Sequence, residues 1–452
     1  MKSVLLRNAI ALGALALIPA TTAALAEAEG NSYAALDEFM DVFQKVRSDY
    51  VEKVDDETLI KGAISGMLAS LDPHSSFLDT NDFANLRTQT EGSYGGLGLS
   101  VTMEDSAVKV IAPTEDTPAF RAGIKAGDYI THLDGELIYG GTLDEAVQKM
   151  RGKPGTPIKL TIVRPGRDKP IEVTLVREII DIKPVKWQVK DNIGVIKIIS
   201  FSNQTGADVK SAINSINKSL GRRPVGYVLD LRSNPGGLLD EAVSVSDVFL
   251  ERGEIVSQRG RQKGDIERYY AKSGDDTQGA PVIVLVDNGS ASASEIVAGA
   301  LQDQHRGLVM GERSFGKGSV QTLLPLSATT ALRLTTARYY TPSGRSVQEG
   351  GIKPDIRVPQ ISDPDYKTRP KFRESDLRRH LINEIKANDP TLEEDAKEDP
   401  RFAMTTEELK KKGIDDFQLW YATQTIGRLA TTPVPAAKTA GTKGAAKKVA
   451  SR

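Results

Sequence analysis

Asp287-Asn288-Gly289-Ser290-Ala291-Ser292-Ala293-Ser294-Glu295 stands where an apolar run, Val282 to Val286, gives way to a helical pattern. Open α/β sheets place reactive groups at such strand ends. A serine on the first turn of a helix lies among unpaired N–H groups at the positive end of the dipole, which suits a developing oxyanion. Serine is also a favoured helix cap, which explains one serine but not three spaced by alanines. A second run, Gly311-Glu312-Arg313-Ser314-Phe315-Gly316-Lys317-Gly318-Ser319, looks at first like a phosphate loop. It fails because Gly318 follows the lysine where a metal-binding hydroxyl is needed, and because Val320 to Leu326 reads as a strand containing Pro325. Together the two runs make sense as a serine nucleophile and a lysine base. A serine needs a group to take its proton, and His305, the nearest in sequence of His74, His132, His305 and His380, ends the same helix about three and a half turns away at ~1.5 Å per residue. A lysine serves only if burial lowers its pKa from ~10.4 toward neutrality, and Phe315 with the apolar strands around it offers such a pocket.

Ser290 to Glu295, followed by Phe315-Gly316-Lys317-Gly318-Ser319-Val320-Gln321, resembles the C-terminal processing peptidases, the tail-specific serine proteases. The resemblance implies that Ser292 is the nucleophile, Lys317 the base, and Gln321 the residue that orients the lysine. It also implies an oxyanion-hole amide in Asp230-Leu231-Arg232-Ser233-Asn234-Pro235-Gly236-Gly237, with the N–H groups of Gly237 and Ala293 as candidate donors. A turn leading from the strand Val225–Leu231 into a helix can aim an N–H outward, in agreement. Asp303, three turns from Ser292, reads as structural.

These residues need a frame. From Ile193 onward strand-like and helical runs alternate, the signature of an α/β layered domain, and Val282 to Val286 has the continuous apolar character of a strand buried on both faces. The 260–280 stretch is polar and glycine-bearing and reads as a mobile surface loop. Residues 92–180 change to short strands punctuated by glycine, interrupted by a helix from Leu143 to Met150. Gly96-Leu97-Gly98-Leu99, the Pro118–Asp128 stretch and that late helix resemble a PDZ domain. Its glycine loop lets N–H groups converge on a terminal carboxylate while the peptide adds as a strand, with selectivity from an apolar pocket beside Leu97 and Leu99. Arg151, just after the helix, is a candidate relay from groove to active site. Residues 32–90 carry two amphipathic helical stripes, Leu36 to Tyr50 and Leu59 to Leu71, which must dock on something to bury their faces. Beyond Pro359 the charged sequence suggests helices over Glu374–Ile385, Thr405–Lys412 and Asp415–Leu429.

The whole then reads as an α/β, multidomain α+β protein: signal peptide 1–26, N-terminal helical region 32–90, inserted PDZ domain 92–180, protease core 181–360, C-terminal helical region 361–430 and disordered basic tail 431–452. The resemblance implies a crotonase-like layering of the core. The first segment has cations at Lys2 and Arg7, an apolar run Ala9–Ile18 and the ending Ala24-Leu25-Ala26, the pattern of a secretory signal, so export to the periplasm is expected, soluble or peripherally attached to a membrane. Across 452 residues, 59 basic and 60 acidic side chains nearly balance, which argues against nucleic acid as a partner. The absence of cysteine removes disulfides, thiolate nucleophiles and cysteine–zinc sites. No cofactor, metal or ATP is expected. The expected activity is serine endopeptidase action on polypeptides with free apolar C-termini, with a homodimer and an adaptor protein as further expected partners. The alternative, a catalytically silent PDZ adaptor, would require one of Ser292, Lys317 or Gln321 to be missing, and all are present.

Overall fold

The computed structural model describes residues 18–104, 107–138, 142–384 and 399–431. Most of the expected signal peptide, through residue 17, and the expected tail beyond residue 431 lie outside them. The chain divides into two compact units, Met1–Leu71 and Asp72–Arg452. In the first, a helix over Ile18–Asp49 is followed by one over Asp56–Ala69, whose start is set by Asp55 accepting from Thr58 N–H at 3.1 Å. Leu36, Phe39 and Met40 of the first helix, and Tyr50 just beyond it, are exposed.

The second unit opens with a short strand, Ser76–Leu78, and a helix, Thr80–Glu91, that the sequence pattern does not separate. Asp79 caps this helix and Gly92 ends it in a left-handed conformation. Strands Leu99–Glu104, Ala107–Pro113, Tyr129–Leu133, Pro157–Val163 and Ile171–Val176 then form an antiparallel sheet in that order. Alternation buries Val108, Val110, Ile130, Leu160 and Ile162 against one core. The helix Leu143–Met150 packs there, its start closed by reciprocal bonds between Thr142 and Glu145. Leu99–Glu104 is one edge of the sheet and Ile171–Val176 the other. A two-stranded ribbon, Ser93–Gly96 with Glu178–Asp181, connects this module to the strands from Val185 onward.

Those strands begin a sheet of six. Val185–Lys190 runs antiparallel at one edge, and Ile193–Ile198, Tyr227–Asp230, Val282–Val286, Leu308–Gly311 and Ile356–Arg357 lie beside it in parallel, neighbour to neighbour. Successive residues face opposite layers: Val282, Val284 and Val286 pack with the helices Thr205–Leu220, Leu239–Phe249 and Ala293–Asp303, while Ile283 and Leu285 pack with the C-terminal helices Thr406–Lys411 and Phe417–Thr431. That double burial is why the strand reads as unbroken apolar sequence. A second sheet of five strands is built around Ala331–Tyr340, which pairs with Ser76–Leu78, Glu254–Gly260 and Ser319–Pro325.

Two expectations fail. The stretch 260–280 is not a loop throughout, because Glu254–Gly260 and Ile266–Tyr270 form a hairpin whose turn is closed by Gly260 N–H to Asp265 O at 2.8 Å. Its polar residues are those of a solvent-facing antiparallel ladder. Of the expected helix Glu374–Ile385, the described part, through residue 384, holds only a single tight turn, Glu374–Asp376. Tertiary bonds capture this chain instead: Glu374 N–H donates to Phe315 O at 3.2 Å and Asn383 Nδ2 donates to Gln348 O at 3.0 Å.

Candidate active site

Three neighbouring parallel strands end at the same edge, and each leads into one of the loops that carry the sequence motifs. Tyr227–Asp230 leads into the turn 231–237, Val282–Val286 into the loop 287–292, and Leu308–Gly311 into the loop 312–318. Convergence of the loops results from strand order alone.

Side chains then fix the loops to one another. Ser290 Oγ donates to Leu231 O at 2.8 Å and Ser294 Oγ to Asn234 O at 2.9 Å, while Asn234 O also accepts from Ala291 N–H at 3.0 Å. The two outer serines are therefore bolts. Ser292, between them, is not tied to that turn; it is almost buried, at 9% exposure, with φ of 54° and ψ of −112°. A serine in that conformation is strained, as residues held at functional sites often are. The 230–237 turn is secured by Arg232, which bonds Asp230 at 2.7 Å and Asp416 at 2.7 Å, and by Asn234 Nδ2, which donates to Ile198 O at 2.9 Å. Gly236 packs so close that a Cβ there would lie 2.9 Å from Ser292 Cβ. Among the described residues, neither the Gly237 nor the Ala293 N–H has an acceptor.

Glu295 stands within the serine motif, and the sequence gives it no separate role. Its fully buried carboxylate joins the serine loop to the lysine loop. Oε2 accepts from Ser292 N–H at 2.7 Å and Lys317 N–H at 3.0 Å; Oε1 accepts from Ser314 Oγ at 2.6 Å and Gly316 N–H at 2.7 Å. Burial pushes this carboxyl up to about 7, against four donors that favour the ionised form. The signal in the sequence is the Ser-x-x-Glu spacing of a capping box at the helix start.

Lys317 Nζ makes no hydrogen bond or ion pair among the described residues, and it is not hydrogen-bonded to Ser292. Burial pushes it below the usual lysine range; the Glu374 carboxylate opposes that and Arg333 reinforces it, while Glu295 and Asp72 oppose it less. Gln321 points elsewhere than expected: Nε2 donates to Ser319 Oγ at 2.9 Å and to Thr335 Oγ1 at 3.2 Å, and Thr335 Oγ1 donates to Asp72 Oδ1 at 3.1 Å. From the sequence, Asp72 reads only as a helix stop. Its carboxyl lies below its ordinary range because hydrogen bonds from Ser75, His74 and Thr335 outweigh burial, the largest single influence. Asp303, by contrast, accepts from Ser343 N–H at 3.0 Å, away from the serine.

In the PDZ-like module Gly96, Leu97, Gly98 and Leu99 line a cleft of about 80 Å³ with Tyr94, Val101, Val147, Met150 and Arg151. The N–H groups of Leu97 and Gly98 have no acceptor among the described residues. Gly98 has φ of 76°, and a Cβ there would collide with the Thr117 side chain. Arg151 stacks over Tyr94 at 4.9 Å and donates to Asn85 Oδ1 at 2.8 Å.

The family model described as peptidase family S41 matches residues 192–358, a PDZ domain model matches 95–175, and the model described as the activating protease CtpB N-terminal domain matches 18–82. The carboxy-terminal-processing protease of Bartonella bacilliformis is 53% identical over 355 residues, which cover 78% of this chain and 82% of that one. The carboxy-terminal processing protease CtpA of Bacillus subtilis is 36% identical over 336 residues, covering 74% and 70%. Among solved structures, the photosystem II D1 C-terminal processing protease is 31% identical, covers 71% of this chain and 92% of that one, and superposes with a TM-score of 0.42. The family models and the two curated relatives define a serine-type protease, a hydrolase, that carries a PDZ domain. The chain belongs to the carboxy-terminal processing protease family.

Proposed function

We propose that this protein is an exported endopeptidase that holds free, apolar polypeptide C-termini in the cleft of its PDZ domain and cuts peptide bonds with a Ser292–Lys317 dyad. The observation that carries the reading is Glu295, whose one carboxylate binds the backbone N–H groups of both Ser292 and Lys317. A buried lysine pushed below its usual range has an accessible neutral form, and that form is the base. Neutral Nζ takes the Ser292 Oγ proton as the oxygen attacks the scissile carbonyl. The tetrahedral oxyanion faces the free N–H groups of Gly237 and Ala293. Its collapse breaks the C–N bond and the amine leaves with the proton from Lys317. Water, giving its proton to the same lysine, then attacks the acyl-enzyme ester, and as the C–O bond breaks the lysine returns that proton to Ser292 Oγ. Gln321 acts on the lysine through Thr335 and Asp72 rather than by direct contact.

Export rests on the residue pattern of positions 1–26, and cell fractionation checks it. The exposed apolar residues of the helix Ile18–Asp49 suit a homodimer contact, and an adaptor protein is a further partner. No helix among the described residues is long and apolar enough to cross a membrane.

The test is cleavage of an unstructured polypeptide by four forms of the protein. Ser292→Ala and Lys317→Ala each abolish cleavage and lose labelling by a fluorophosphonate. Lys317→Arg does not rescue, because a guanidinium with a pKa above ~12 keeps its charge and cannot take a proton. In the wild type, the rate on a short substrate rises with pH through a limb that survives replacement of His132 and His305. More than about a tenth of wild-type rate in Lys317→Arg overturns the lysine base, and full inactivity of the wild type with retained peptide binding supports the silent adaptor instead.

A further inference from the structure

The surroundings of Lys317 contain a buried carboxylate that the serine–lysine mechanism leaves unused. Glu374 comes from the segment after the core and has no exposed surface. Its backbone N–H donates to Phe315 O at 3.2 Å, two residues before the lysine. Gln348 ties it to the other side of the lysine, accepting from Gly318 N–H at 3.0 Å and donating to Glu374 Oε1 at 3.1 Å. His74 Nε2 lies 2.9 Å from both carboxylate oxygens. His74 is itself held by Asp72, which accepts from its backbone N–H at 2.8 Å.

The charged groups acting on Lys317 are Glu374, Arg333, Glu295 and Asp72, and Glu374 acts most strongly among them. Glu295 is committed to backbone N–H groups and Asp72 to Ser75, His74 and Thr335. Glu374 also feels His74 and, from the same segment, His380, which pairs with Glu349 at 2.8 Å. A carboxylate sealed from water is strongly disfavoured unless opposite charge and donors surround it. His74 and Gln348 are the side chains bonded to it.

We propose that Glu374 is a positioning residue for the peptidase reaction: gripped by His74, it is the buried counter-charge that stabilises the Lys317 ammonium formed when the lysine takes the Ser292 proton. This rests on the reading of Lys317 as the base. The proton passes from Ser292 Oγ to Lys317 Nζ and on to the leaving amine, and Glu374 takes no part in the transfer. A counter-charge so placed has two opposed effects. It favours the ammonium in the transition state, and it also holds a proton on the lysine of the resting enzyme. Removing it therefore shifts the acid limb to lower pH and reduces the plateau rate, a combination that loss of a merely structural contact does not produce.

The experiment measures kcat and KM against pH, on a short peptide, for full-length wild type, Glu374→Gln, Glu374→Asp and Lys317→Ala. Glu374→Gln is expected to move the acid limb to lower pH and to lower plateau kcat ~10-fold with KM little changed, while Glu374→Asp stays nearer the wild type in both. A limb that stays in place, or moves to higher pH, overturns the proposal whatever the plateau. Should Glu374→Gln fail to fold, His74→Ala tests the same link, because it removes the contact that grips the Glu374 carboxylate beside the lysine: a displaced limb supports the counter-charge, and an unmoved limb overturns the proposal. Lys317→Ala separates the two levels. Activity in that variant removes the base itself; inactivity there, with an unmoved limb in Glu374→Gln, removes only the role of Glu374.

Discussion

A carboxylate with four donors and no cation bonded to it is a fastener for backbone. Glu295 holds two loops that the chain makes 20-odd residues apart, at distances of 2.6 to 3.0 Å. Glu295→Gln turns one of its oxygens into an NH2 group facing N–H donors that have no other acceptor. Each buried donor so stranded costs ~1–3 kcal/mol. The expected outcome is a Tm several degrees lower and peptidase activity at least ~10-fold lower, read by thermal melts and peptide cleavage. A Gln variant as stable and active as wild type would remove the fastener. The pH dependence has a definite sign. The folded protein holds the Glu295 proton up to about 7 against 4.5 when unfolded, so the associated stability is complete below about 4.5 and lost as pH rises through about 7. The stability gap between wild type and Glu295→Gln should therefore narrow across that window. Ser292 and Lys317 were legible as residue types in telling contexts. Glu295 and Glu374 were not, because what they do depends on chain segments that meet only in the fold.

At the scale of elements, the position of the site is set by the order of strands. Adjacent parallel strands deliver the 231–237, 287–292 and 312–318 loops to one edge, and this much was readable from the alternation of apolar and helical runs. The hairpin at 254–270 and the non-helical segment at 374–384 were not, since a polar edge ladder and a tertiary-captured chain both lack a distinctive period. The turn after Tyr227–Asp230 illustrates how tightly the elements close. Gly236 has φ of 101°, and a Cβ there would lie 2.7 Å from Ala291 O and 2.9 Å from Ser292 Cβ. Gly237 has φ of 147°, and its Cβ would strike the Phe201 carbonyl. Either substitution by alanine strains the turn and displaces the free Gly237 N–H. We expect Gly236→Ala to cut kcat ~100-fold or more with a smaller change in KM, the loss that accompanies a misplaced oxyanion donor. Wild-type kcat in that variant would separate the turn from the chemistry.

Across the whole molecule the proposed reading asks how a terminus held in the PDZ cleft would be sensed at a lysine in another module. Within the second unit a set of contacts runs from the cleft as far as Asp72 and Thr335. Arg151, at the rim of the cleft, bonds Asn85 on the helix Thr80–Glu91; the strand Ser76–Leu78 just before that helix pairs with Leu332 and Arg333; and Ser75 N–H and Oγ bond Asp72, which also accepts from Thr335. Gln148 Nε2 shares Asn85 Oδ1 at 3.2 Å, so the helix that walls the cleft has two grips on the path. A contiguous path is not coupling until a two-state element is shown, and substrate pairs supply the test. A polypeptide ending in a free Val-Ala-Ala should be cleaved ~10- to 150-fold better than its amidated twin, because amidation removes a charge-assisted hydrogen bond worth ~1.5–3 kcal/mol to the N–H groups of Leu97 and Gly98. If Arg151 only contacts the ligand, Arg151→Ala weakens binding of a free terminus and Asn85→Ala leaves it alone. If Arg151 works through the helix, Asn85→Ala keeps wild-type affinity for the terminal peptide in a binding titration yet lowers cleavage of the free-ended polypeptide toward the rate of its amidated twin. Equal cleavage of both twins by wild-type protein would mean that the cleft neither reads the terminus nor informs the lysine.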